Sequence, residues 1–62
     1  MYTQINNLSD YHDKLYQADY AFNNGDMRTA LGYYQACQLY AKKNGISTHY
    51  IDMKISDCKS KL

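Results

Sequence analysis

The sequence predicts an all-α protein: a two-helix antiparallel hairpin followed by a third, C-terminal helix, assembled as a dimeric helical bundle. Apolar side chains recur every three or four residues through three segments, which is the spacing of one helix face. Asn-Asn-Gly at residues 23–25 and Asn-Gly at residues 44–45 separate the segments, and glycine is typical of a position just beyond a helix end. The 62 residues include no proline, so nothing breaks the segments internally.

The chain is short enough for one domain at most. Residues 1–7 show no sustained period, and we expect them to form a flexible N-terminal arm. Residues 8–62 are predicted to form a single three-helix domain, with helices over about 9–23, 27–43 and 48–61.

The first helix is predicted from a stripe of apolar residues and from the residues that flank it. Asn7 or Ser9 can cap its N-terminus, and Gly25 can supply the left-handed conformation that ends it. The stripe consists of Leu8, Tyr11, Leu15, Ala18 and Phe22.

The second helix is apolar around much of its circumference. Asp26 is its predicted N-cap, and Lys42 and Lys43 suit the negative end of the helix dipole. Its first face consists of Met27, Ala30, Leu31, Tyr34, Cys37 and Ala41. A second face beside it consists of Gly32, Tyr33, Ala36 and Tyr40. Such a helix is expected to have neighbours on more than one side.

The third helix is predicted to begin after Ser47 as its N-cap, with Ile46 and Ile51 in the arrangement of a hydrophobic staple. Its stripe consists of Ile51, Ile55, Cys58 and Leu62, with Tyr50 and Met53 alongside. Short connections between the three segments predict antiparallel neighbours.

Stability arguments favour an oligomer. Folding would bury about 6,000 Å², and the apolar part of that area contributes about 90 kcal/mol. Ordering the chain opposes folding by about 93 kcal/mol, so one copy is close to balance. Cys37 and Cys58 fall on apolar stripes and are expected to be free thiols. No apolar run is long enough for a signal peptide or a membrane span, so we expect a cytoplasmic protein that gains stability as a homodimer.

The predicted dimer face is Gly32, Tyr33, Ala36 and Tyr40. Glycine in the middle of a helix costs about 1 kcal/mol relative to alanine, and Gly32 with Ala36 would form a groove that allows close backbone approach. A second copy or another partner could fill this groove. The first or third helix of the same chain could fill it equally well.

Charge is unevenly distributed along the chain. Residues 1–26 carry a net charge of −3 and residues 27–62 a net charge of +4. This asymmetry can indicate contacts with an acidic partner or with nucleic acid through Lys42, Lys43, Lys54, Lys59 and Lys61. Solvated helix ends, or charges that meet across a dimer, are the favoured interpretation. Because Arg28 is the only arginine and Asp52 and Asp57 interrupt the basic half, a protein partner is favoured over nucleic acid.

Catalytic and metal-binding arrangements are not predicted. His12 and His49 lie on different helices, and neither has a neighbouring ligand at metal-binding spacing. Cys37 with a histidine would be a nucleophilic pair, but a chain this short leaves little room for a substrate pocket. The glycines form no phosphate-binding loop. We therefore expect no enzyme activity, no metal and no cofactor.

Residues 25–37 resemble the core of a tetratricopeptide repeat. The matching residues are Gly25, Asp26, Ala30, Leu31 and Tyr34, with Ala18 similar to the small residue of the first helix. The resemblance covers about residues 11–44, and the third helix is placed like a solvating cap helix. Three-helix microtubule-interacting-and-trafficking domains have a similar pattern, and the composition loosely resembles small accessory proteins of bacteria and phages. The resemblance implies a helical hairpin. Because no catalytic or metal-binding arrangement is predicted, we expect a protein-interaction module: a self-associating adaptor, or a regulator or inhibitor of a larger protein.

Overall fold

The computed structural model describes residues 4–62, which form three α-helices and no β-strand. Helix α1 spans Leu8–Asn23, α2 spans Met27–Lys43 and α3 spans His49–Lys61. Helix α2 packs against both other helices, whereas α1 and α3 touch each other little. Consecutive helices run antiparallel, and all predicted helix ends lie within one residue of the observed ones. Residues 1–3 of the predicted flexible arm lie outside the described residues.

Helices α1 and α2 end in the same way. The backbone N–H of Asp26 donates to the carbonyl of Ala21 at 2.9 Å, and that of Ile46 donates to the carbonyl of Ala41 at 2.8 Å. These bonds close Schellman motifs, which require a left-handed residue just before the donor. That residue is glycine both times, with φ of 81° at Gly25 and 70° at Gly45. The two Asn-Gly sequences thus end the helices as predicted.

The N-termini of α1 and α2 are each capped by a side-chain hydrogen bond. Asn7 Oδ1 accepts a hydrogen bond from the backbone N–H of Asp10 at 2.8 Å, which selects Asn7 over Ser9 as the cap of α1. Asp26 Oδ1 accepts from the N–H of Thr29 at 3.2 Å, as predicted for α2. Each cap satisfies a backbone donor that has no partner within the helix.

The prediction that Ser47 caps the third helix is wrong. The N-cap residue is Thr48, and its side chain makes no capping hydrogen bond. The Thr48 hydroxyl instead donates to Asp52 Oδ2 at 3.0 Å. Ser47 Oγ accepts only a long bond of 3.4 Å from the N–H of His49. Helix α3 therefore begins with weaker support than the other two helices.

The core lies where α2 faces its two neighbours. Its largest fully buried side chains are Tyr34, Cys37, Ile51 and Cys58, and both cysteines are free thiols. Leu8 and Leu62, predicted on buried stripes, are 52% and 61% exposed because they lie at the outer ends of α1 and α3. Among residues 4–62, no helix is long and apolar enough to cross a membrane.

Candidate interaction site

The second face of α2 is exposed only in part. Ala36 is buried, Tyr33 and Tyr40 are half-buried, and only Gly32 is exposed. The Tyr40 ring stacks on the ring of Tyr11 in α1, with a centroid distance of 5.3 Å and an interplanar angle of 28°. The N-terminal half of the chain therefore covers much of this face.

Gly32 itself remains open. No heavy atom of the described residues beyond its own helix and chain neighbours lies within 4 Å of a Cβ built at this position. Residues 4–62 therefore leave space for a side chain at Gly32, while they bury the neighbouring Ala36. Backbone strain does not require glycine here either, because positive φ occurs only at the two turn glycines.

A groove opens between the C-terminal half of α2 and the segment that precedes α1. Its volume is about 450 Å³, and it is lined by Gln4, Ile5, Ala36, Leu39, Tyr40, Lys42 and Lys43. Spacings of three and four residues place the α2 members on one side of that helix. Four residues predicted from the sequence as parts of two separate sites thus line a single groove: Ala36, Tyr40, Lys42 and Lys43. Leu39 and Ile5 were not predicted as site residues.

The groove has an apolar floor and a basic rim. Leu39 is 55% exposed although it is aliphatic. Lys42 and Lys43 are exposed in the last turn of α2, and neither forms an ion pair with a carboxylate of residues 4–62. The groove thus combines an apolar floor with two cations at its edge.

The carboxylate of Asp52 lies near this rim but is already engaged. Gln38 Nε2 donates to Asp52 Oδ1 at 2.8 Å, and Thr48 donates to its other oxygen. These two hydrogen bonds hold the pKa of Asp52 below its usual range, with a smaller contribution from the charge of Lys42. Asp52 therefore stabilises the start of α3 and its contact with α2.

The five predicted basic contacts do not form one patch. Lys42 and Lys43 end α2, whereas Lys59 and Lys61 end the antiparallel α3 at the opposite end of the bundle. A helix as long as α3 separates those ends by about 20 Å. Lys54 lies over the Phe22 ring, 4.1 Å from its centroid, and packs within the bundle. The structure thus brings together two of the five lysines.

A junction of three polar side chains, which sequence reasoning did not find, joins all three helices. Asp19 Oδ1 in α1 accepts a hydrogen bond from Tyr34 in α2 and another, of 2.8 Å, from Tyr50 in α3. Burial raises the pKa of Tyr34 and, more weakly, that of Tyr50, and the hydrogen bond to Asp19 adds to each shift. The phenols of Tyr34 and Tyr50 therefore stay neutral and donate to one carboxylate, an arrangement that suits a structural role.

Cys37 is unsuited to nucleophilic chemistry. Its thiol is fully buried, and burial, followed by the charges of Asp19 and Asp10, raises its pKa to about 11. A thiol of this kind stays protonated near neutral pH. Residues 4–62 contain no group of three or more potential ligands that could hold a metal ion.

A second exposed surface lies on the outer side of α1. Tyr16 and Tyr20 are 70% and 65% exposed, and with Asp13 and Gln17 they line a shallower depression of about 280 Å³. Asp13 contacts Lys14 at 3.5 Å, so its charge is partly balanced within the chain. This surface is smaller and less strongly charged than the α2 groove.

Comparison of the chain with protein-family models, curated proteins and solved structures finds no match. Residues 4–62 by themselves define a three-helix all-α unit with a mixed apolar and basic groove beside α2.

Proposed function

We propose that this chain is a non-enzymatic protein-interaction module, a small adaptor or regulator of a larger protein, that binds its partner in the α2 groove. The observation that carries the proposal is the exposed Leu39 beside the small side chain of Ala36, with Lys42 and Lys43 at the rim. Exposed apolar surface bordered by charge is the usual composition of a protein contact. The volume of the groove suffices for one large side chain of a partner and its neighbours.

The proposal includes self-association. A chain of this length is close to thermodynamic balance alone, and the open space over Gly32 allows a second helix to approach the backbone of α2. Leu39 follows Gly32 by two helical turns and lies on the same outer side of α2. An isologous dimer through this side would bury both residues, so self-association and partner binding would exclude each other at Leu39.

We also propose that the α1–α2 hairpin is similar to a tetratricopeptide repeat in its packing. Ala18 and Ala30, the small residues of that resemblance, are completely buried, and Gly25 has the left-handed conformation that the turn requires. Repeats of this type present their helices to bound peptides and proteins. The relation to bacterial and phage accessory proteins and a cytoplasmic location remain part of the same hypothesis.

The proposal is tested by affinity capture from the source cells with the tagged parent protein and two matched variants. Leu39→Gln changes the groove, and Met53→Gln makes a similar change at a residue that is also 55% exposed but lies on α3. We expect mass spectrometry to identify proteins bound by the parent and by Met53→Gln but lost from Leu39→Gln. Identical sets of bound proteins for all three would contradict the groove as the binding site.

The alternative is a small nucleic-acid-binding protein. Its support is the proximity of Tyr40 to Lys42 and Lys43, since a ring among cations can stack on bases. One face of Tyr40 is already covered by Tyr11, however, and the remaining lysines lie elsewhere. A gel shift that the parent shows at low salt, that weakens steeply with salt and that Lys42→Ala/Lys43→Ala abolishes would favour this alternative.

A further inference from the structure

We infer that the α2 groove selects acidic amphipathic segments, in which one aliphatic side chain is flanked by carboxylates. This inference rests on the proposed interaction function and specifies the chemistry of the partner. It commits to a segment of another protein as the occupant, and it follows from the distribution of apolar and charged groups around the groove.

The apolar part of the groove has room for one aliphatic anchor. Ala36 leaves space at a helix position where a larger side chain would fill the floor, and Leu39 exposes more than half of its surface beside it. Ile5 on the opposite wall is half-buried and packs on the core, so this wall is fixed to the bundle. Covering these side chains with an aliphatic group removes apolar surface of both partners from water.

The charged part of the groove favours carboxylates. Its lining includes two lysines and the neutral amide of Gln4 but no acidic residue. Asp52, an acid close enough to Lys42 for its pKa to be affected by that charge, accepts hydrogen bonds from Gln38 and Thr48 on its two oxygens. The charges of Lys42 and Lys43 are therefore balanced by no ion pair among residues 4–62, and a basic partner segment would be repelled.

The partner charges must stand close to the anchor. Lys42 and Lys43 follow Leu39 by three and four residues, which is one helical turn and about 5 Å along the axis. A segment that places an aliphatic residue over Leu39 and carboxylates within one turn of it meets both requirements. Each exposed ion pair contributes little, so the two lysines together should change the affinity by about 2- to 30-fold.

The test is an NMR titration of the isotope-labelled full chain with three synthetic peptides of equal length. The first carries a leucine flanked by aspartates, the second keeps the leucine and replaces the aspartates by lysines, and the third keeps the aspartates and replaces the leucine by serine. We expect only the first peptide to shift the amide signals of residues 36–43, with shifts that weaken as salt is added.

Matched variants locate the charge preference. Lys42→Ala/Lys43→Ala should weaken binding of the first peptide by about 2- to 30-fold, and Leu39→Gln should remove most of it. Lys59→Ala/Lys61→Ala makes the same change of charge at the other end of the bundle and should leave binding unchanged. Equal losses in both double variants would show a general charge effect and would overturn the inference.

The remaining outcomes are equally decisive. Tighter binding of the lysine peptide, or absence of groove shifts with every peptide at millimolar concentration, would overturn the acidic preference. The interaction function would survive either result if Leu39→Gln still loses proteins in the capture experiment. Groove signals that already shift with the concentration of the parent alone would identify a second copy as the occupant, and would also overturn the inference.

Discussion

Tyr50 Oη lies 2.8 Å from Asp19 Oδ1, and this hydrogen bond links α3 to α1, two helices that otherwise touch little. The same oxygen accepts from Tyr34 of the central helix. One carboxylate therefore bonds to both other helices of the bundle. It ties α1 and α3 to α2, the helix that lines one side of the groove.

The first prediction concerns this junction. Asp19→Ala leaves the buried hydroxyl of Tyr34 without its acceptor, so we expect the free energy of unfolding to fall by about 2–3 kcal/mol. Asp19→Asn keeps an acceptor oxygen and should lose less. Tyr50→Phe removes a half-exposed donor and should lose about 1 kcal/mol or less. Urea denaturation of the four proteins checks the order, and equal stability of Asp19→Ala and the parent would contradict the role of the junction.

The junction shows where sequence reasoning ends. The spacing of apolar residues predicts helices and their buried sides, because that period is local. Asp19 is polar and lies beside the stripe of α1, so the same reasoning assigns it to solvent. Its partners lie 15 and 31 residues away, and no local pattern specifies which polar side chains meet across helices.

The groove could not be predicted from the sequence for a similar reason. The sequence predicts the lysines at the end of α2 and the small residues of its second face as parts of two separate sites. These residues line one groove because the segment around Ile5, predicted as part of a flexible arm, packs on the core beside α2. Packing of irregular segments depends on tertiary contacts that periodicity does not report.

The helix ends give the second prediction. Asp26 makes a capping hydrogen bond with Thr29, whereas Ser47 makes only a long bond with His49. Asp26→Ala should lower the free energy of unfolding by about 1 kcal/mol, while Ser47→Ala should change it by about 0.5 kcal/mol or less. Thermal and urea unfolding of the two variants measure the difference. A larger loss from Ser47→Ala would restore Ser47 as a cap in solution.

The third prediction is alkaline destabilisation. The pKa of Cys37 is raised to about 11, mainly by burial, and that of Tyr34 is also raised by burial and its bond to Asp19. Unfolded thiols and phenols lose protons near about pH 8.5 and about pH 10. Between those values and the folded pKa values the native state binds more protons, so stability is full below about pH 8.5 and falls as pH rises.

Urea unfolding measured from about pH 7 to about pH 11 should therefore show a falling free energy, beginning near the pKa of the free thiol. Cys37→Ala removes one of two buried thiols whose pKa values are raised by burial, and Cys58 keeps the onset near the pKa of a free thiol. The fall in stability between about pH 8.5 and about pH 11 should therefore be shallower in Cys37→Ala. The variant also loses some packing, so the comparison rests on the shape of the pH profile and not on its height. An unchanged slope in Cys37→Ala would show that the Cys37 thiol does not contribute.

The fourth prediction decides the oligomeric state through Gly32. Nothing beyond its own helix surrounds this residue within the described chain, and its φ is not positive, so a side chain fits the monomer without strain. Gly32→Ala should raise the free energy of unfolding by up to about 1 kcal/mol through helix propensity alone. Gly25→Ala, at a turn with φ of 81°, serves as the contrasting variant and should be destabilised.

Gly32→Leu separates dimer from monomer, because its side chain stabilises an isolated helix but holds apart two helices that meet at this position. If the proposed dimer exists, sedimentation of the parent shows a two-fold mass and its melting temperature rises with concentration. Gly32→Leu then sediments as a monomer and loses that concentration dependence. A parent that stays monomeric at high micromolar concentration, with Gly32→Leu simply melting higher, would contradict the dimer. The outer side of α2 would in that case be free for the partner that the groove binds.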